Sequence, residues 1–522
     1  MNINKTALLL RAQIYNNFAI NELFSKESKN KQNFILVCIG ALIVIIIMSS
    51  YILDIANSLV SLGAPGLIPP YVVAMSSLLI LVFTLLWSNG VLFGSKDFEM
   101  LSSLPVTSKD IVRSKFLFMY LSNFILSAIF LIPAGIVWFI STTDNMLFSI
   151  MYIVGIFFVP LIPMCIALLI GLFIMILTSK LKNKNIFQLI LSLLLFVGLF
   201  ALNFTSVQTE TGPNVVMVIL AEQIYSLYPL SKLFFFEQEN ALIMNALFFL
   251  ISILIFWFSI ELAGRNYTKI NALMSQQNTA SNRKVQNKKY SPLKAMYIKE
   301  AKRFFSSYLY MLNTGIFVFF LFALSIAMLF ISPDTLLAKF FGGVDVTPLV
   351  GTYAPFVIAT MLGLSCMTAS SISLEGQNIY TLKSIPLSQQ TFLNAKILFN
   401  LSLTSIGYFS ALIVLLLKFD LTLLQILSLI VIPAIYSIFA SVQGLYINAK
   451  FPKFDWDNEA VVIKQSLSVL LATFVAMISV ALPILLSMFL PLSFLAVLWL
   501  VALVLIAITG VLYTKVCRMK II

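Results

Sequence analysis

Long apolar stretches, each near the ~20 residues that a helix needs to cross a bilayer, alternate with short polar segments along this chain. They predict twelve spans near residues 34–53, 66–93, 116–140, 147–178, 186–203, 241–264, 309–332, 351–374, 397–417, 422–447, 465–487 and 493–514. The last two, joined around Pro491, are the least separable. Residues 266–291 are polar, rich in Asn, Gln and Lys, and without apolar period, so they read as a flexible linker. The expected fold is an all-α polytopic membrane protein with two six-span halves, 1–265 and 292–522. Past the linker, Leu293, Met296, Tyr297, Ala301, Phe304, Phe305 and Tyr308 recur at helical spacing, with Lys294, Lys299, Lys302 and Arg303 on other faces. That pattern predicts a helix lying in the interface ahead of span seven. Leu10, Ile14 and Phe18 give a weaker version ahead of span one.

One polar device occurs twice between the oily spans. Residues 101–118 read LSSLPVTSKDIVRSKFLF and residues 382–399 read LKSIPLSQQTFLNAKILF. At a constant offset of 281 residues, Leu101 meets Leu382, Ser103 Ser384, Pro105 Pro386, Lys115 Lys396, Leu117 Leu398 and Phe118 Phe399. Leu104 faces Ile385, and Thr107 faces Ser388 at a position suited to capping a helix. The prolines cannot continue a helix from the preceding residues, so they separate the span from a new element. Thr107 followed by Asp110 resembles a capping box, whereas Ser388 caps without the acid. A short helix starting there would set Ile111 or Phe392 on one side and Lys109 and Arg113, or Gln389 and Asn394, toward water. Asp97 and Glu99 stand upstream in the first copy, where the second has Asn378 and Tyr380. A repeated device of this kind is most simply a repeated docking point for a soluble partner. A capped inner loop with no partner accounts for the same residues.

Composition and charge sharpen this picture. With 60% hydrophobic and 10% charged residues and a mean hydropathy of +1.02, a soluble core is excluded. No cleavable signal peptide is expected, since Met1 to Lys31 is polar and mixed. If both termini lie in the cytosol, 30 of the 33 Lys and Arg residues fall in inner segments, and only Lys232, Lys339 and Lys418 do not. The positive-inside rule favours that orientation. The net charge of +13 then follows from topology and acidic inner-leaflet lipids, with no nucleic-acid partner. The four cysteines are scattered and predict no disulfide framework.

Several chemistries lack their residues. There is no G-x-x-x-x-G-K-[ST] phosphate loop, and the absence of histidine removes both the H-E-x-x-H site and the Ser-His-Asp triad. Acidic residues fall at expected span ends or in loops, which counts against paired-aspartate intramembrane enzymes and ion-coupled carriers. The chain is therefore expected not to be an enzyme and to hold no cofactor.

The run S-L-P-V-T-S-x-x-x-x-x-x-K, from Ser103 to Lys115, resembles the inner loop of type-two ABC exporter permeases. The stretch from Lys299 to Thr314 is similar to that family's elbow helix, and PKFDWDNEAVVIKQ, from Pro452 to Gln465, to a segment of large duplicated exporter permeases of Gram-positive bacteria. The resemblance implies a bacterial cytoplasmic-membrane permease whose inner loops dock a separate cytosolic ATPase, in two copies per chain, that binds ATP–Mg. It assigns docking to Asp97, Glu99, Leu101, Leu104, Pro105, Thr107, Lys109, Asp110, Arg113 and Lys115 in the first loop. In the second loop it assigns Asn378, Leu382, Ile385, Pro386, Ser388, Gln389, Asn394 and Lys396. Between spans five and six, Leu220, Ile224, Leu227 and Tyr228 alternate with polar residues. There the resemblance implies an outer gate, with Glu222, Tyr225 and Tyr228 as candidates, and a plain interfacial helix is the other reading. An amphipathic peptide, lipid or drug is the expected cargo. The alternatives are a non-transporting anchor or sensor governed by an ATPase and an ion-coupled secondary carrier.

The charge pattern sets a direct test. A cysteine at Ser281 should react with an impermeant maleimide only after membrane permeabilisation, and one at Thr209 without it. External labelling at Ser281 overturns the orientation.

Overall fold

The computed structural model describes residues 3–17, 28–91, 103–142, 146–178, 186–192, 228–234, 240–275, 289–330, 347–456, 459–464 and 466–519, with single residues 20, 101, 181, 236 and 521. Among them the structure is helical, with turns and loops and no strand. It divides into two compact units, Met1–Ser281 and Asn282–Ile522. Ten described helical segments are long and apolar enough to cross a membrane. Of the other two expected spans, 34–53 lies within a helix of residues 28–61, and 186–203 leaves the described residues after 192.

The first unit contains α1 (Ile3–Asn17), α2 (Ser28–Ser61), α3 (Ile68–Val91), α4 (Ser108–Ser141), α5 (Met146–Phe158), α6 (Leu161–Thr178) and α7 (Ala241–Ser275). The expected span 147–178 is interrupted at Val159–Pro160, where proline withholds a backbone donor. An aromatic cluster fills one part of the unit. Trp138 stacks on Phe236 at 5.1 Å between centroids, and Tyr152 donates its hydroxyl to the Leu131 carbonyl at 2.8 Å. Helix α7 continues through Ser275, so the first ten residues of the expected linker extend a span.

In the second unit α8 (Pro292–Ser306) precedes α9 (Tyr308–Phe330), α10 (Thr347–Leu364), α11 (Gln389–Lys418), α12 (Leu423–Lys450), α13 (Leu467–Phe489) and α14 (Phe494–Arg518). Ser291 caps α8 and Pro292 occupies its first turn, where a missing N–H costs nothing. The buried face of α8 is Met296, Glu300 and Phe304, spaced four apart. Leucine 490 caps α13 and Ser493 caps α14, which separates the two final spans.

The expected span 351–374 does not continue as one helix. After Leu364 the chain breaks into short turns, Thr368–Ser371 and Ser373–Asn378. Non-helical backbone in a membrane protein must be satisfied by neighbours, and here it is. The Met367 N–H donates to Asn400 Oδ1 at 3.0 Å, and the Met367 carbonyl accepts from Tyr310 at 3.1 Å. Asn448 Oδ1 takes the N–H groups of Ile372 and Ser373 at 2.7 and 3.1 Å. Thr368 donates to the Ser441 carbonyl at 2.7 Å. Gly376 turns the chain at φ +53°, and a Cβ there would stand 3.2 Å from the Trp456 indole.

Gly444 lets α12 approach this broken segment closely. A Cβ there would collide with Cys366 Sγ and stand 2.8 Å from Thr368 Oγ1 and 3.1 Å from the Ala369 nitrogen. Gly444→Ala should destabilise the second unit by about 1–3 kcal/mol, the usual cost of overpacking, lowering the thermal midpoint in detergent. Cys366→Ala in the same chain should restore part of it. Unchanged stability in Gly444→Ala means that α12 does not pack this closely on the broken segment.

Candidate functional site

The two copies of the repeated device fold alike. Leu104 N–H reaches the Leu101 carbonyl at 3.3 Å and Val106 N–H reaches the Leu104 carbonyl at 2.7 Å. In the second copy Ile385 N–H reaches the Leu382 carbonyl at 3.3 Å and Leu387 N–H the Ile385 carbonyl at 2.7 Å. Each proline is thus the centre of a tight three-residue turn. The next residue caps a helix. Thr107 accepts from Asp110 N–H at 3.2 Å while the Asp110 carboxylate takes the Thr107 hydroxyl at 2.6 Å and its N–H at 3.3 Å. Ser388 accepts from Thr391 N–H at 3.3 Å. The helices so started are not short: α4 runs 34 residues and α11 runs 30. The expected separate docking helix is the first turn of a spanning helix.

Burial sorts the candidate docking residues. Leu104, Pro105, Thr107 and Lys109 are exposed, as are Asn378, Ile385, Pro386 and Ser388. Leu104 and Ile385, both apolar, are 43% and 51% exposed at the turn tips. Arg113 is half-buried. Leu101, Asp110, Lys115, Leu382 and Lys396 are buried within their own units and cannot meet a partner. Their place is structural: Leu101 and Leu382 anchor the loop, and Asp110 holds the cap. Gln389 and Asn394 are half-buried and already hydrogen-bonded, Asn394 to Tyr513 at 2.8 Å. Asp97 and Glu99 lie outside the described residues, as do Glu222 and Tyr225 of the outer candidates. Tyr228 is described and buried.

Lys396 stands at the centre of the second unit's polar interior. Its Nζ donates to Glu300 Oε1 at 2.7 Å, to Glu375 Oε1 at 3.1 Å and to the Ser371 carbonyl at 2.9 Å, and it lies 4.7 Å from the centroid of the Phe392 ring. Lys299 and Arg303 reach Glu375 Oε2 at 2.6 and 2.7 Å, and Arg303 lies 3.5 Å from Glu300. Three elements meet in this cluster: α8 brings Lys299, Glu300 and Arg303, the broken segment brings Glu375, and α11 brings Lys396. Glu300, Glu375 and Lys396 are fully enclosed. The expectation that acidic residues fall at span ends or in loops says nothing of burial, and the fold encloses Glu300 and Glu375 there together with Lys396. A sequence signal existed: Phe392, Lys396 and Asn400 share one helical face at four-residue spacing, and that face is buried.

The surroundings explain the family-like segment after α12. Trp456 donates its indole N–H to the Ser373 carbonyl at 2.9 Å, and Lys453 N–H donates to Ser373 Oγ at 3.0 Å. The segment therefore latches the end of the broken helix. Between it and α8, Arg303, Tyr310, Trp456 and Glu459 border a small, partly open pocket of about 40 Å³. Burial pulls the Lys299 ammonium below its ordinary pKa, with the Glu375 charge opposing. Burial acts likewise on Arg303, but its hydrogen bond to Glu375 and the charges of Glu300 and Glu375 outweigh it and raise the guanidinium pKa.

In the first unit the equivalent lysine, Lys115, lies 5.6 Å from the Tyr267 ring centroid of α7. Helix α1 packs along α4 as α8 does along α11. Lys5 donates to the Pro105 carbonyl at 2.7 Å, Thr6 to Asp110 at 3.2 Å and Gln13 to Ser114 at 3.3 Å. Lys109 pairs with Glu261 of α7 at 2.6 Å, which also takes Arg265 at 3.0 Å.

The cluster makes an asymmetric prediction. Lys396→Met leaves Glu300 without its shortest ion pair, and breaking a buried pair from one side costs about 3–5 kcal/mol. The thermal midpoint in detergent should fall accordingly. Lys396→Met with Glu300→Gln should recover most of the loss. If the single variant is as stable as the unaltered chain, the buried pairing is wrong.

A family of proteins described as "membrane protein of 12 TMs" matches residues 30–515. No curated protein and no solved structure matches the chain. The match takes in both units and both copies of the loop, and the chain belongs to this family of twelve-span membrane proteins.

Proposed function

We propose that this multi-span membrane protein is the permease of an ATP-binding-cassette exporter, moving an amphipathic substrate with energy from a separate cytosolic ATPase. The observation that carries the reading is the pair of exposed Leu104–Pro105 and Ile385–Pro386 turns, matched bond for bond in two units. An exposed apolar tip on a rigid capped turn is a small docking knob, and its repetition calls for two copies of one partner. The resemblance of the same residues to exporter coupling loops supports the ATPase as that partner. ATP–Mg belongs to the ATPase, and this chain supplies no catalytic group. Membrane lipids surround the spans, where residues such as Leu254, Trp257 and Phe258 point outward.

One observation favours a second reading. Glu300, Glu375 and Lys396 are enclosed, and buried ionisable groups in membrane proteins mark ion pathways. An ion-coupled carrier would route its ion through this cluster.

Leu104→Asp and Ile385→Asp alter exposed side chains, so the chain should insert and fold normally. Each should weaken binding of the co-expressed ATPase subunit roughly ten- to thirtyfold at its own loop, as a lost interface hot spot does. Together they should abolish ATP-dependent transport in vesicles. Full ATPase binding by the double variant removes these turns as docking points. Transport driven by a proton or sodium gradient without ATP selects the carrier.

A further inference from the structure

The C-terminal tail lies against the second turn, where Gln389, Asn394 and the apolar core all hold it. Gln389, in the first turn of α11, reaches the Val516 and Cys517 carbonyls at 3.2 Å each with its amide nitrogen, and that of Met519 as well. Its Oε1 accepts from the Ile521 N–H at 3.3 Å. Val516 is buried in the core cluster that contains Leu382, Phe392 and Leu393, and Ile521 packs on that cluster. Tyr513 adds a hydrogen bond to Asn394 at 2.8 Å. The tail is thus fixed one turn from Pro386, while Lys515 and Arg518 remain exposed.

This placement changes the charge of the surface. From Ser384 to Ala395 the sequence has no charged residue and exposed Lys383 stands just before the turn, whereas the first loop carries Lys109, Asp110 and Arg113. We propose that the tail, residues 515–519 and 521, forms part of the second docking surface and adds the cations of Lys515 and Arg518 to that of Lys383 beside the turn. The occupant is the cytosolic ATPase subunit, meeting the tail with an acidic patch; this rests on the exporter reading above. A protein seated on Ile385 and Pro386 must also cover a tail bonded to Gln389. The bland role of these cations, complementing the end of α14, needs no partner and gives no salt-dependent binding.

The test reads the second site alone, using the full-length chain with Leu104→Asp and the purified ATPase subunit. Binding is followed from about 0.01 M to 1 M salt, over which the screening length falls from roughly 30 to 3 Å. Lys515→Gln with Arg518→Gln should weaken low-salt binding roughly three- to tenfold, as two exposed charge pairs would, and flatten the salt dependence. Unchanged affinity and slope in the Lys515/Arg518 variant overturn the proposal. Should Leu104→Asp abolish all binding, a photocrosslinking residue at Arg518 of the otherwise unaltered chain decides: crosslinks to the ATPase support the proposal, and their absence ends it. An unaltered chain that binds no ATPase subunit at any salt refutes the exporter reading itself.

Discussion

The second unit is organised around a lysine that has no exit to water. Lys396 is enclosed and must keep its charge compensated, which Glu300 and Glu375 do from two other elements. Buried ion pairs contribute little net stability compared with an apolar core of equal volume, but they punish misplacement. If α11 shifts relative to α8 or the broken segment, a buried charge is left bare at a cost of several kcal/mol. The cluster therefore works as a positional lock. The second proline turn, α8 and the interrupted span have one permitted arrangement, or else must move together.

The interrupted span exists because neighbouring helices accept its polar backbone. Asn400 and Asn448 act as surrogate backbone, each meeting N–H groups that a continuous helix would have used internally. Gly444 lets α12 approach closely, and Trp456 closes the far end over Gly376. Glu375 sits at that end and joins the scaffold to the ion cluster. Two polar systems, one of amides and hydroxyls and one of charges, meet within ten residues of chain.

The spans were legible because a bilayer imposes a length and a polarity on every crossing segment. The capped turns were legible because capping is local: Thr107 with Asp110 and Ser388 with Thr391 are three residues apart. The ion cluster was not, since Lys396 meets Glu300 across 96 residues of sequence and Glu375 across 21. A lysine in a basic loop motif also reads as a surface charge, as did Lys115. The break after Leu364 was hidden by composition. Residues 365–374 contain serines, a threonine and a cysteine among apolar neighbours, and hydropathy passes over hydroxyls that bond within the fold. The division between the units falls inside the expected linker, whose first ten residues extend α7 through Asn, Tyr and Lys residues with adequate helix propensity once a long helix has begun.

The two units use the same turn in different electrostatic settings, and that difference follows from where the sixth spans end. In the first unit α7 passes the turn and pairs Glu261 with Lys109, an exposed contact that salt weakens. In the second the end of α14 and the residues after it lie beside the turn, and Gln389 meets them through neutral amide contacts. Exposed ion pairs contribute about 0–1 kcal/mol, and the first turn is held further by Lys5, Thr6 and Gln13 of α1. The second is backed by Val516 in an apolar core and by a lysine that cannot leave its carboxylates. One turn geometry thus occurs twice with different mountings: α1 and α7 hold the first copy, while the tail and the buried Lys396 cluster hold the second.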